Sequence, residues 1–265
     1  MRAIKVLSVF LLIYSIGIFA AYVYYARITK DDVAPVVQCE TEELLVSVSV
    51  TEEELLKGVT ARDDKSGDVS ETLVIESISA FAEEDKRIIT YAAIDEQGNV
   101  GRCTRILKYT DYQEPTFALT EAMRFATGST IDILGRVRAQ SMLDGDLTDA
   151  IKYSLDSTID LKNPGTYAVE FRVTDTSGKV VYLPIDLEIY NPTQERISVV
   201  LSEYLVYVSK DEVFDPMTYY VGSDIEGEVT VKSNVDVTQE GIYKVDYIVT
   251  NSNSSGKTRL IVVVK

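Results

Sequence analysis

The feature that most constrains this chain is a repeat. The stretches DDKSGDVS (63–70), LDGDLT (143–148) and IEGEVT (225–230) share one order: glycine, acid, Val or Leu, then Ser or Thr. Their glycines, Gly67, Gly145 and Gly227, stand 78 and 82 residues apart. A second block recurs downstream as IITYAAIDEQGN (88–99), TYAVEFRVTDTSGK (166–179) and IYKVDYIVTNSNSSGK (242–257). Anchored on Asp95, Asp175 and Asn251, it has spacings of 80 and 76, and an aromatic (Tyr91, Phe171, Tyr247) stands four residues before each anchor. Two unrelated markers with one period define three copies of a single unit. The expected domains are 34–110, 114–190 and 195–265, behind a separate N-terminal segment, 1–30.

Each block alternates with a period of two. Tyr167, Val169, Phe171 and Val173 face one way, and Glu170, Arg172 and Thr174 the other; Tyr243, Val245, Tyr247 and Val249 repeat the inner set. This is the pattern of half-buried antiparallel strands. A glycine turn follows, then a further strand whose inner face reads Val181, Leu183, Ile185, Leu187, Ile189. No segment after the N-terminal stretch carries a long helical period. The fold class is therefore all-β, with three tandem β-sandwiches. The joins at 111–115 and 191–195 are short and hold Pro115 and Pro192. They predict semi-rigid hinges, and three domains in line would extend on the order of 100 Å.

Residues 6–26 are 21 positions without a charge. As a helix they would measure roughly 31 Å, enough to cross a bilayer core. Arg2 and Lys5 precede them. A cleaved signal peptide is the competing reading, but Ala20, Ala21 and Ala26 follow Ile18, Phe19 and Tyr24 at the position where a cleavage site needs a small residue. The expectation is an uncleaved signal-anchor, a transmembrane helix. Arg27 and Lys30 balance the first two cations, so only the α-amino group tips the N-terminus toward the cytoplasm. Two cysteines and β-rich repeats suit an exported part. Formal net charge is −16, and the first 30 residues carry +4, so the remainder carries −20. Such a surface repels phosphate backbones, which excludes nucleic acid as a partner class.

The second copy, GDLT followed by PGTYAVEFRVTDTSGK, resembles the immunoglobulin-like repeat of bacterial surface proteins, of the pesticidal-crystal-protein type. It carries the likeness through Asp144–Thr148 and Pro164–Lys179. The first copy does so through Gly67–Ser70 and Tyr91–Asn99, without the Gly-x-Tyr. The third does so through Gly227–Thr230 and Gly241–Tyr247, with Asn251 replacing the aspartate. The resemblance implies a seven-strand immunoglobulin-like sandwich, a cell-surface setting, a spacer or binding role and no catalytic residues. In that fold the first and last strands lie side by side. Cys39 and Cys103 occupy the register positions of Leu119 and Leu183, so the resemblance implies a disulfide between them, against the alternative of two buried thiols.

The chain has no histidine. Ser-His-Asp, Cys-His and histidine-zinc arrangements are excluded, and two cysteines cannot build a four-thiolate site. The expectation is a non-enzyme without cofactor. In LDGDLT, Asp144, Asp146 and Asp149 offer oxygens to calcium, but the counterparts of Asp144 are Ser66 and Glu226, which favours a plain turn. Met217, Tyr219 and Tyr220 lie in the least regular part of the third domain, as packing or as a ligand patch for protein or glycan. Two functions follow: a membrane-anchored extracytoplasmic stalk or scaffold, or an adhesin-like module binding through its distal domain.

Overall fold

The alternating blocks fold into long hairpins at the centre of layered sheets, each burying the aromatic four residues before its turn. The computed structural model describes residues 2–81 and 86–265, and within the N-terminal helix the side chains of 8, 10–25 and 27. The chain divides into two units, 1–110 and 111–265.

The first unit runs α1 (Arg2–Thr29), β1 (Val36–Cys39), β2 (Glu43–Val46), α2 (Glu52–Leu56), β3 (Val59–Asp63), β4 (Gly67–Asp68), β5 (Val74–Ile78), β6 (Lys86–Ile94) and β7 (Val100–Tyr109). One sheet has the order β1-β3-β4 and the other β2-β7-β6-β5. The chain switches sheets between Cys39 and Glu43, after which β2 runs parallel to β7. Ile89, Tyr91 and Leu107 are fully buried between the layers. The short helix α2 has no periodic signal. It is held locally by a capping box between Thr51 and Glu54.

The second unit holds two sandwiches. The first comprises β8 (Thr116–Leu119), β9 (Arg124–Ala126), β10 (Val137–Ser141), β11 (Gly145–Asp146), β12 (Lys152–Leu155), β13 (Gly165–Thr174) and β14 (Val180–Tyr190). Its sheets are β11-β10-β8 and β12-β13-β14-β9. The second comprises β15 (Val199–Leu201), β16 (Leu205–Val208), β17 (Tyr220–Ser223), β18 (Glu228–Ser233), β19 (Gly241–Thr250) and β20 (Ser255–Val264), as β15-β17 and β16-β20-β19-β18. Among the described residues the first two copies each hold seven strands. The third has six among the described residues, because Gly227 sits against the Thr250 carbonyl and the chain passes straight into β18.

Leu205 and Ile261 are cross-strand partners in the third copy. They are buried in the apolar cluster of the second, with Phe117, Phe171 and Leu187. The Tyr207 hydroxyl accepts the Phe117 N–H at 2.8 Å. The join at 191–195 is therefore not a free hinge, because the two sandwiches it links share a core. Apolar side chains at the end of one sandwich gain more by burial against a neighbour than by facing water.

Among the described residues no helix is long and apolar enough to cross a membrane. The expected transmembrane helix is therefore not shown. The side chains of Arg2 and Lys5 lie outside the described residues.

Candidate functional site

Cys39 closes β1 and Cys103 lies on β7. They form a disulfide with Cα atoms 6.5 Å apart. Because β1 and β7 belong to different sheets, the bond ties the two layers together where the chain crosses between them.

Elsewhere in the first unit, three elements deliver one aspartate each to a buried corner. Asp31 comes from the lead-in between α1 and β1, Asp63 from the end of β3, and Asp95 from the start of the β6–β7 turn. Each is at least nine-tenths buried, and one carboxylate oxygen from each lies within 4.8 Å of the others.

The local backbone fixes all three. Asp63 Oδ1 accepts the N–H groups of Lys65 (2.9 Å) and Ser66 (2.6 Å). Asp95 Oδ1 accepts those of Gln97 (2.9 Å) and Asn99 (2.8 Å), and Oδ2 accepts Asn99 Nδ2 at 2.7 Å. Asp31 Oδ1 accepts the Val33 N–H at 3.0 Å. The lead-in is seated by Asn99 Nδ2, which donates to the Asp31 carbonyl at 3.1 Å, and by Lys65 Nζ, which donates to the Lys30 carbonyl at 2.7 Å. Gly101 permits the close approach: a Cβ there would stand 1.8 Å from the Pro35 carbonyl oxygen.

These bonds leave Asp31 Oδ2 and Asp63 Oδ2 buried without a hydrogen-bond partner. The Ser66 N–H holds the Asp63 carboxyl below its ordinary value, against the opposing effect of burial. Burial acts to raise Asp95, but the Asn99 side chain and the turn N–H groups outweigh it, so its net direction is also down. Among the described residues the one ion pair to the cluster is Lys65 Nζ to Asp31 Oδ1, at 3.6 Å. The arrangement supplies hard oxygen donors and negative charge.

The residues singled out from sequence lie elsewhere. Among the described residues Asp144, Asp146 and Asp149 do not converge as a metal-sized group. Asp146 Oδ1 accepts the Thr148 N–H at 2.9 Å, and Thr148 Oγ1 accepts the Ala139 N–H at 3.3 Å. Asp144 accepts both the N–H and the hydroxyl of Thr176. With Gly145 at φ 71°, this is a turn tied back to β10. The first copy repeats it, with Asp68 accepting the Ser70 N–H at 2.9 Å and Ser70 Oγ accepting the Ala61 N–H at 3.0 Å. Tyr219 stacks on Phe214 and Tyr220 on Tyr247, both half-buried against the third core. Met217 remains exposed.

Sequence reasoning quoted Asp63 and Asp95 as repeat markers without reading them as ligands. The signal was in the register: four residues before the repeat glycine stand Asp63, Ser141 and Ser223, so only the first copy carries an acid there.

Comparison with known proteins adds a distant relative. The chain is 27% identical over 210 residues to the pesticidal crystal protein Cry22Aa of Bacillus thuringiensis, covering 73% of this chain and 28% of that protein. The chain thus spans little more than a quarter of the relative it matches. No family model matches. Among solved structures, Drosophila N-cadherin EC1-3 aligns at 11% identity and a TM-score of 0.30, over 73% of this chain and 88% of that one. The M60 catalytic domain with CBM51 domains of Clostridium perfringens ZmpB aligns at 11% identity and a TM-score of 0.22, over 89% and 31%.

Proposed function

We propose that this chain is a non-catalytic, membrane-anchored scaffold of immunoglobulin-like sandwiches standing on the extracytoplasmic side of a bacterial cell surface. The observation that carries this reading is the Cys39–Cys103 disulfide, which belongs to an oxidising compartment. Anchoring rests on the 21 uncharged residues 6–26 and on the apolar side chains that α1 leaves exposed, among them Phe10, Leu11, Ile13 and Phe19. The lack of histidine supports the non-catalytic part. An adhesin-like reading, with protein or glycan as partner, draws on an open groove of about 570 Å³ between the second and third sandwiches, flanked by Glu170, Asp186, Asn234, Lys244 and Arg259.

The test is to express the full chain in a bacterial host and ask three things of it. It should stay with membranes through alkaline carbonate, be digested by protease added outside spheroplasts, and show no thiol reactive to a maleimide after denaturation without reductant. A soluble, protease-protected chain with two reactive thiols overturns the proposal.

A further inference from the structure

We infer that the corner formed by Asp31, Asp63 and Asp95 is a calcium site, and that the ion fixes the segment leaving α1 onto the first sandwich. Charge comes first. Three carboxylates and the Lys65 ammonium leave a net −2 in a buried corner, which one divalent cation neutralises. Donor chemistry comes second. The set is all oxygen, with no sulfur or imidazole, and hard oxygen donors select calcium or magnesium over zinc or copper.

Size comes third. Oxygens on opposite sides of a calcium ion bound at 2.3–2.6 Å are separated by up to about 5 Å, whereas magnesium at about 2.1 Å allows only about 4.2 Å. Carboxylate oxygens lying within 4.8 Å of one another can all reach one ion in the larger sphere. The decisive observation is separate from the clustering: Asp31 Oδ2 and Asp63 Oδ2 are buried and have no donor. Every other oxygen of these two groups that could be satisfied by the chain already is, so these two atoms await a ligand that brings positive charge.

The consequence follows from which elements contribute. Asp63 and Asp95 belong to the sandwich, and Asp31 belongs to the lead-in that follows α1. An ion shared by all three adds a bond between helix exit and domain to those that Asn99 and Lys65 already make. Waters complete the six to eight oxygens that calcium takes. With three carboxylates at the site, affinity falls on the order of 10⁻⁴ to 10⁻³ M, the range of extracellular modules.

The experiment uses the full chain in mild detergent. Equilibrium dialysis against radioactive calcium counts ions per chain, and hydrogen exchange followed by mass spectrometry reads the backbone in EDTA, in 10 mM calcium and in 10 mM magnesium. The expected result is one calcium per chain and exchange slowed at least tenfold over 31–36 and 63–68 in calcium. Magnesium should give a smaller effect. Asp63→Asn and Asp31→Asn should each abolish both signals, while Asp146→Ala should keep them. Asp31 lies outside the strands, so its variant retains a folded sandwich even where Asp63→Asn does not, and circular dichroism checks both. No bound calcium, binding unchanged in Asp31→Asn, or magnesium outperforming calcium would each overturn the inference.

Discussion

At the end of β3 in the first sandwich stands Asp63; at the end of β10 in the second stands Ser141. The first lead-in brings Asp31 to this corner, and the second brings the Tyr112 hydroxyl, which donates to Asp175 Oδ2 at 2.7 Å. Asp175 Oδ1 accepts the N–H of Ser177 at 3.0 Å and of Lys179 at 3.1 Å, and the Ser177 hydroxyl as well. Burial, and then the Asp175 carboxylate, hold the Tyr112 phenol above its ordinary value, so it stays a donor. In the third copy Asn251 replaces the acid, and its side chain bonds the Asn253 and Ser254 N–H groups and the Glu226 carbonyl. One corner has thus been built with three carboxylates, with one, and with none. The two later versions satisfy themselves, and the first leaves oxygens over. A repeat preserves the turn, while substitutions at its edge decide whether it needs an external ligand.

The two versions also differ in what holds their sandwiches together. The first has a disulfide where the second has Leu119 and Leu183, and the second leans on the third. Replacing Cys39 and Cys103 together by serine releases a 64-residue loop, which costs about 4 kcal/mol on the loop-entropy model. In calorimetry of the full chain in detergent, the transition of the first unit should fall by more than about 10 °C. The transition of 111–265 should hold its position. A shift of both transitions together would erase the contrast between a covalently stapled unit and a packed one.

The next largest effect belongs to Arg124. Its guanidinium is buried, pairs with Glu188 (3.2 Å) and Glu195 (2.8 Å), donates to the Lys257 carbonyl and lies 4.8 Å from the Tyr190 ring centre. Arg124→Ala strands two partly buried carboxylates and should destabilise the second unit by about 3 kcal/mol. The first unit should be untouched. An effect below about 1 kcal/mol would show that Leu205 and Ile261 alone bind the two sandwiches.

Tyr112→Phe sharpens the comparison of corners directly. It removes one hydrogen bond to a buried carboxylate and should cost about 2 kcal/mol in the second unit, with or without calcium. Asp31→Asn in the first unit should go the other way in EDTA, raising its transition by relieving repulsion among like charges. Loss of stability in both variants would mean that the two corners work alike.

Much of this was legible in the sequence, for identifiable reasons. The long hairpins follow from period-two runs, and the turns from a glycine flanked by an acid and a hydroxyl. The disulfide followed once the resemblance set the register. The acid corner escaped because Asp31, Asp63 and Asp95 stand 32 residues apart twice over, with no local motif to join them. The shared core escaped because Arg124, Glu188 and Arg259 sit among the polar positions of strands and read as surface. Only tertiary contact shows Arg124 and Arg259 each to be just 8% exposed.

The smallest effect is an acid response of the second unit. Burial acts to raise the Glu188 carboxyl, but Arg124 and then Lys257 outweigh it, leaving it below its ordinary 4.5. Asp246 behaves alike, with Arg259 and then Lys257 outweighing burial and leaving it below 3.8. Both face a network that also holds Glu195, Asp186 and Lys244. A carboxyl that binds its proton more weakly in the native state adds stability that is complete above the unfolded value. That stability is lost as pH falls through the native one. The calorimetric transition of 111–265 should therefore stay level above about pH 5 and decline below about 4.5. Glu188→Gln should lower the plateau and flatten the decline, since it removes a titrating partner of Arg124 and Lys257. A wild-type transition that stays level to pH 3 would show that the ion pairs at this interface contribute little against the shared apolar core. The packed unit would then differ from the stapled one only in what is buried, and not in how charge is handled.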